Sequence, residues 1–145
     1  MLRLSTRGRY GVRAMYEIAK AYPKPVSIKQ ISEKQELSVP YLEQILNRLK
    51  NAGLLMSIKG PGGGYVLNKR PEEISILEIL KKLEGAPALA SCLDPKRGCS
   101  RIEICVTHVV WKKLGEQIEG FLSTITLADL LKLGEQIGGD KNVKT

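Results

Sequence analysis

The chain has 145 residues, which suit one domain or a small domain with an appendage, and its apolar share of 43% is ordinary for a globular core. No apolar run reaches membrane-spanning length, and Arg3, Arg7 and Arg9 are not followed by the apolar stretch of a secretory leader, so a cytoplasmic protein without a membrane partner is expected. The 23 basic against 15 acidic residues leave a formal charge of +8, which makes nucleic acid the leading partner but is also compatible with a merely solvated surface, and only the placement of the charges can decide.

Ser5 or Thr6 can cap a first helix reaching about Tyr22, with Tyr10, Met15, Ile18, Ala19 and Tyr22 on its inner side; Pro23 and Pro25 stop it. Ser27 followed by Gln30 is a capping-box pattern, opening a short helix with Ile28 and Ile31 inward, and Glu36-Leu37 makes a tight turn. Ser38 caps a third helix that tolerates Pro40 in its first turn. On its wheel Leu42, Ile45, Leu46 and Leu49 form one apolar stripe, while Pro40, Glu43, Gln44 and Asn47 lie opposite, flanked by Tyr41 and Arg48. Gly53 ends that helix, and two short strands follow, Leu54 to Lys59 and Tyr65 to Leu67, joined by Gly60-Pro-Gly-Gly-Gly64.

Three helices with a short turn between the second and third, then strand-loop-strand, describe a winged helix-turn-helix over residues 1–85, with the helix-turn-helix at 28–52 and the wing at 54–67. The fold class expected is therefore mainly α with a small β-wing. Taken alone, residues 38–52 read as a solvated amphipathic helix, and the wing is what changes that reading. The glycine-rich loop lacks the Gly-Lys-Ser/Thr ending and the following helix of a nucleotide cradle. A tight loop poor in side chains and preceded by Lys59 suits a minor groove or a phosphate backbone instead.

Ser75 with Glu78 opens a fourth helix, with Ile76, Ile79, Leu80 and Leu83 inward and Gly85 closing it. Residues 86–105 then form a loop that leads to a long helix running from about Arg101 to Leu122. Its seam of Val110, Trp111, Leu114, Ile118, Phe121 and Leu122 is too apolar for an isolated helix. Such a stripe often closes a monomer's own core. Because the winged portion has apolar faces of its own, a homodimer built on the long helix is the preferred reading. Thr126 with Asp129 caps a last helix carrying Leu127, Leu130, Leu131 and Ile137, so that residues 101–137 make up the dimerisation helix and the C-terminal helix; residues 138–145 read as a loose polar tail.

The loop region holds all three cysteines and the only histidine: Cys92, Cys99, Cys105 and His108. Three thiolates and an imidazole suit a thiophilic metal, either zinc or an iron-sulfur cluster, and not a hard cation such as magnesium. Cys105 and His108 are three apart, so a helix beginning near Ser100 would put them on one face of its first turn. Asp94-Pro95 and Gly98 let the chain bearing Cys92 and Cys99 turn back sharply. A disulfide would leave one cysteine unpaired, and small buried thiols would not explain the histidine among them. Spacings of six and five residues are wide for a zinc knuckle, whereas a larger cluster tolerates them. No serine-histidine-acid or paired-carboxylate arrangement is visible, so catalysis is not expected.

Gly8-Arg-Tyr10, Tyr41-Leu-Glu-Gln44, Gly60-Pro-Gly-Gly-Gly-Tyr65, the three cysteines, and Thr107-His108 with Trp111 resemble the iron-sulfur-cluster regulators of the IscR type, from Leu4 to about Leu131. The wing motif marks a wider family of winged helix-turn-helix transcription regulators, which also holds nitric-oxide-sensing and cysteine-metabolism members; the histidine three residues after the last cysteine is the more particular sign. The resemblance implies a dimeric transcription factor, repressor or activator, that binds double-stranded operator DNA, takes no small-molecule substrate, and controls cluster-assembly genes according to cluster supply. It implies a [2Fe-2S] cluster on Cys92, Cys99, Cys105 and His108, with [4Fe-4S] or zinc as the alternatives. Two positions depart from the pattern: Cys92 and Cys99 stand one residue further apart than is usual, and Lys59 replaces a common arginine, exchanging a bidentate fork for a point charge.

On such a reading head Gln44 suits an adenine edge, while Ser38, Tyr41 and Arg48 position the helix on phosphates. Lys59, Gly60, Pro61 and Gly62 bring the wing to the backbone or the minor groove. Glu43 is repelled by phosphate unless it accepts from a cytosine amino group, so it should select for that cytosine. For sensing, the expectation is that residues 86–105 fold onto the start of the long helix when the cluster is bound, so that the reading heads are held differently in the two states. A nitric-oxide or redox-sensing cluster regulator of the same family is the alternative within the resemblance, and a small electron carrier and a DNA-binding module with structural zinc are the rival classes; the carrier predicts no salt-dependent DNA binding and the zinc module a colourless protein that unfolds on chelation.

Overall fold

The computed structural model describes residues 4–84, 90, 93, 94, 96–98, 100 and 103–143, with the backbone alone for 139–143. Helix α1 spans Thr6–Ala21, capped by Ser5, whose hydroxyl accepts from the Gly8 amide at 3.0 Å. Helix α2 spans Ile28–Gln35 and opens with the expected capping box: Ser27 accepts from the Gln30 amide at 3.1 Å, and the Gln30 side chain accepts from the Ser27 amide at 2.9 Å. It ends at Glu36, which takes a left-handed turn at φ 55° that points the chain into helix α3, Val39–Asn51. Ser38 is the N-cap residue of α3, yet its side chain makes no capping bond, a departure from the expectation; Pro40 in the first turn has no amide to be capped.

Strands β1 (Leu55–Ile58) and β2 (Gly64–Leu67) pair antiparallel in the register Leu55 with Leu67 and Ile58 with Gly64. The wing is also stitched to the segment before α2, because Val26 and Tyr65 exchange both backbone hydrogen bonds, at 2.9 and 2.8 Å. A 3-10 turn at Pro71–Glu73 leads to helix α4, Ile76–Glu84. Helices α5 (Val106–Thr124) and α6 (Leu127–Val143) complete the described chain.

One core joins these elements. Met15 and Ile18 of α1, Ile31 of α2, Leu42 and Leu46 of α3, and Ile79 of α4 are all fully buried in it. Helices α1 and α4 approach closely because α1 carries glycines on the facing side: a Cβ on Gly11 would stand 2.1 Å from Leu83 Cδ1. The start of α6 is anchored to the start of α4 through an isolated bridge, with Ile76 N–H donating to Ile125 at 2.8 Å and Leu127 N–H to Ile74 at 3.0 Å. Leu127 is fully buried there, and Asp129 closes the cap by accepting from the Thr126 amide at 2.9 Å, which holds its carboxyl below the usual carboxylate range.

Two expectations change. The long helix begins at Val106 and not at Arg101, with Cys105 as its extended N-cap; Arg101-Ile-Glu-Ile104 alternates with period two, which supplies no helical stripe. The tail expected from residue 138 is helical through Val143, since polarity bears on burial and not on whether the backbone ladder continues. Of the two fates open to the α5 seam, closure of the monomer's own core is the one not seen, because α5 has no buried residue at all. The closing role given to Gly85 lies outside the described residues.

Candidate DNA-reading face and metal-binding end

Burial of Leu42, Ile45, Leu46 and Leu49 against the core fixes the roll of α3, and everything on the opposite side must face solvent. Ser38, Glu43, Gln44 and Arg48 are exposed, while Tyr41 is half-buried, its ring meeting the edge of Tyr10 at a centroid distance of 5.8 Å and 82°. The wing follows at once. Gly53 turns the chain, and Asn68 at the far end of the wing ties back to it, its amide donating to the Gly53 carbonyl at 2.9 Å. Lys59, Gly60, Pro61 and Gly62 are exposed at the tip, where the Gly63 amide donates to Gly60 at 3.0 Å. The tip backbone depends on glycine: Gly60 has φ 94°, and a Cβ on Gly64 would lie 2.2 Å from the Val26 carbonyl oxygen. Reading helix and wing are thus held as one surface. Among the described residues, no ion pair takes up Arg48 or Lys59, which leaves both cations open to phosphate.

At the other end, Cys105 is the N-cap of α5 and His108 lies in its first turn; both side chains are half-buried. Cys105 Sγ stands 3.1 Å from Thr107 Oγ1, so the hydroxyl donates to sulfur once the thiol is ionised. The open N–H groups and positive end of a helix favour a thiolate at this place. Cys92 and Cys99 lie outside the described residues, and among the described residues no three metal-binding side chains are gathered. The two donors that are placed fit a soft metal group by their chemistry, and together with Cys92 and Cys99 they would make up the full set of four.

Between these ends runs an uncovered apolar face. On α5, Val110, Trp111 and Phe121 are 54%, 42% and 65% exposed, and Val106 and Val109, which the seam did not include, are exposed beside them. Helix α5 touches the reading head mainly near its own C-terminus, where Leu122 packs on the core and Glu119 pairs with Lys81 of α4 at 3.8 Å. No helix among the described residues is long and apolar enough to cross a membrane.

The sequence reading missed Thr107 as a partner of the Cys105 sulfur, and it missed the side chains that support Tyr41 from α1. The former could have been found from a hydroxyl two residues after a helix-capping cysteine; the latter needs tertiary contacts that no local pattern carries.

Comparison with known proteins gives a consistent result. The Rrf2 family model, described as "iron-dependent transcriptional regulator", matches residues 4–133. Proteins called HTH-type transcriptional regulator IscR from Erwinia tasmaniensis and Serratia proteamaculans are each 41% identical over 131 residues, covering 90% of this chain and 79% of theirs. Among solved structures, T. potens IscR superposes with a TM-score of 0.78 at 41% identity, covering 94% of this chain and 90% of that one. CymR, the global cysteine regulator of B. subtilis, gives 0.75 at 36% identity, covering 92% and 98%. These relatives carry the winged helix-turn-helix fold, and they are regulators, not enzymes.

Proposed function

We propose, from the premise that the chain belongs to the Rrf2 family of transcriptional regulators, that it is a cytoplasmic homodimer that binds operator DNA and adjusts cluster-assembly genes to iron-sulfur supply. The observation that carries this reading is the pairing of Cys105 and His108 at the entrance of a helix, in a molecule whose other end presents a free polar helix face and a wing. Relatives named IscR at about 40% identity support the same reading.

Cys92, Cys99, Cys105 and His108 would hold a [2Fe-2S] group, which when bound supplies a redox-active centre at the start of α5. The chain's own residues prepare the place. The helix end favours a thiolate at Cys105, Thr107 stands within reach of its sulfur as a donor, and His108 would contribute a ring nitrogen to the set. At the reading head, Ser38, Tyr41 and Arg48 settle α3 on phosphates, Gln44 addresses an adenine edge, and Lys59 with Gly60, Pro61 and Gly62 brings the wing to the backbone. A coupling of about 1 to 3 kcal/mol between the two ends would change operator affinity about 5- to 150-fold.

Anaerobic purification tests the reading. Coloured protein with equal amounts of iron and sulfide, binding DNA with a steep salt dependence, is the expected result. Colourless protein free of iron and sulfide after reconstitution would replace the sensor with a plain DNA-binding module, and zinc in its place would make the site structural.

Glu43 supplies a separate check. Its exposed carboxylate disfavours operators that lack a suitably placed cytosine amino donor. Glu43→Ala should therefore bind a panel of operator variants with a flattened ranking, each lost discrimination being about 1 to 3 kcal/mol. An unchanged ranking would remove Glu43 from base reading.

A further inference from the structure

We propose that Arg13 is a positioning residue for operator reading, holding the start of α3 at its working angle by tying the end of α2 to the aromatic pair beneath Tyr41. This rests on the reading that α3 addresses DNA, and deepens it.

Arg13 lies on α1, a helix given no part in contacting DNA. Its Nε donates to Gln35 Oε1 at 2.8 Å, and its Nη2 donates to the backbone carbonyl of the same residue. Gln35 ends α2, so this carbonyl is among those that the helix itself leaves without a partner. The next residue is Glu36, whose left-handed backbone swings the chain toward Ser38 and α3. The guanidinium therefore grips the chain just before the turn of the helix-turn-helix.

The same guanidinium lies over the Tyr10 ring, 5.2 Å from its centroid, and Tyr10 meets the edge of Tyr41 in the first turn of α3. Arg13 thus touches both sides of the turn, directly at Gln35 and through Tyr10 at Tyr41. Gln35 is fixed from behind as well, since its amide nitrogen donates to Glu17 at 2.6 Å and Glu17 pairs with Lys20 at 2.9 Å. Both ends of that amide are assigned, so its orientation is determined.

Two features favour positioning over other roles. The Arg13 bonds are exposed, and exposed charge-assisted contacts add little to global stability. The fork is committed to Gln35 and the face to Tyr10, so Arg13 is poorly placed to act as a simple phosphate contact. A lysine could hold the carbonyl or lie over the ring, but it lacks the planar fork that does both.

The test uses the full chain and the duplex that the wild-type protein selects from a randomised pool. Arg13→Ala should weaken binding by about 2- to 30-fold with an unchanged melting midpoint and an unchanged slope of log affinity against log salt. Tyr10→Leu should give a similar loss, the double variant should lose no more than the worse single one, and Arg13→Lys should recover part of the affinity. A salt slope reduced by about 0.9 would make Arg13 a phosphate contact and overturn the inference. So would additive losses in the double variant, or a fall in melting midpoint with the folded protein's affinity intact. Wild-type protein that selects no duplex would overturn the operator reading itself, an outcome distinguished by the failure of the unmodified chain.

Discussion

Replacing Trp111 and Phe121 together by glutamate is expected to turn a dimer into a monomer and to lower operator affinity by about 100-fold or more. Both side chains stand largely exposed on α5 with the exposed Leu114 between their turns, and α5 has no buried residue within its own chain. A contiguous apolar face of this kind marks an interface, and large aromatic side chains dominate the energetics of such contacts. Four carboxylates, two from each protomer, would have to be buried unpaired for the pair to form, at a cost of several kcal/mol. Because the reading head has a core of its own, its melting should change little. Sedimentation velocity reads the mass and a mobility-shift titration reads the affinity; a variant that still sediments as a dimer would move the interface elsewhere.

Cys105→Ala should lose its bound iron and colour, and with them the dependence of operator affinity on the cluster, a change of about 5- to 150-fold. The argument is local. Cys105 caps α5, where open amides and the helix end favour thiolate, and alanine there offers no donor. Thr107→Val makes the companion measurement, since it removes only the hydroxyl 3.1 Å from the sulfur and should keep the iron. Iron and sulfide counts, with titrations on two operators, check both. Full iron content in Cys105→Ala would exclude this residue from the donor set.

Much of the reading head was legible in the chain because its signals are local. Ser27 and Gln30 announce a helix start through two reciprocal bonds that need nothing beyond four residues. The stripe of Leu42, Ile45, Leu46 and Leu49 dictates which side of α3 is left to solvent, and the run from Gly60 to Gly64 admits few backbones other than a tight wing. The long helix was harder. Its apolar seam was visible, but whether that seam met its own core or stood open depends on where α4 and α6 lie, and that is a tertiary matter. Its start lies at Val106 and not near Arg101, where the alternation of Arg101-Ile-Glu-Ile104 carries no helical stripe. The donor set was legible as composition, while Arg13, Gln35 and Tyr10 became a group only once α1 was laid against the turn.

The bridge between Ser75 and Thr126 sets how α5 can move. It pins the C-terminal end of a helix of 19 residues, about 28 Å long. Such a body behaves as a lever with its fulcrum near Ile125. A swing of about 10° barely disturbs the pivot, yet it carries the Cys105 end through about 5 Å, the rise of roughly one helical turn. Displacements of the chain ahead of Cys105 are thereby passed along α5 and reach Trp111, about 21 Å from the pivot, reduced by about a third.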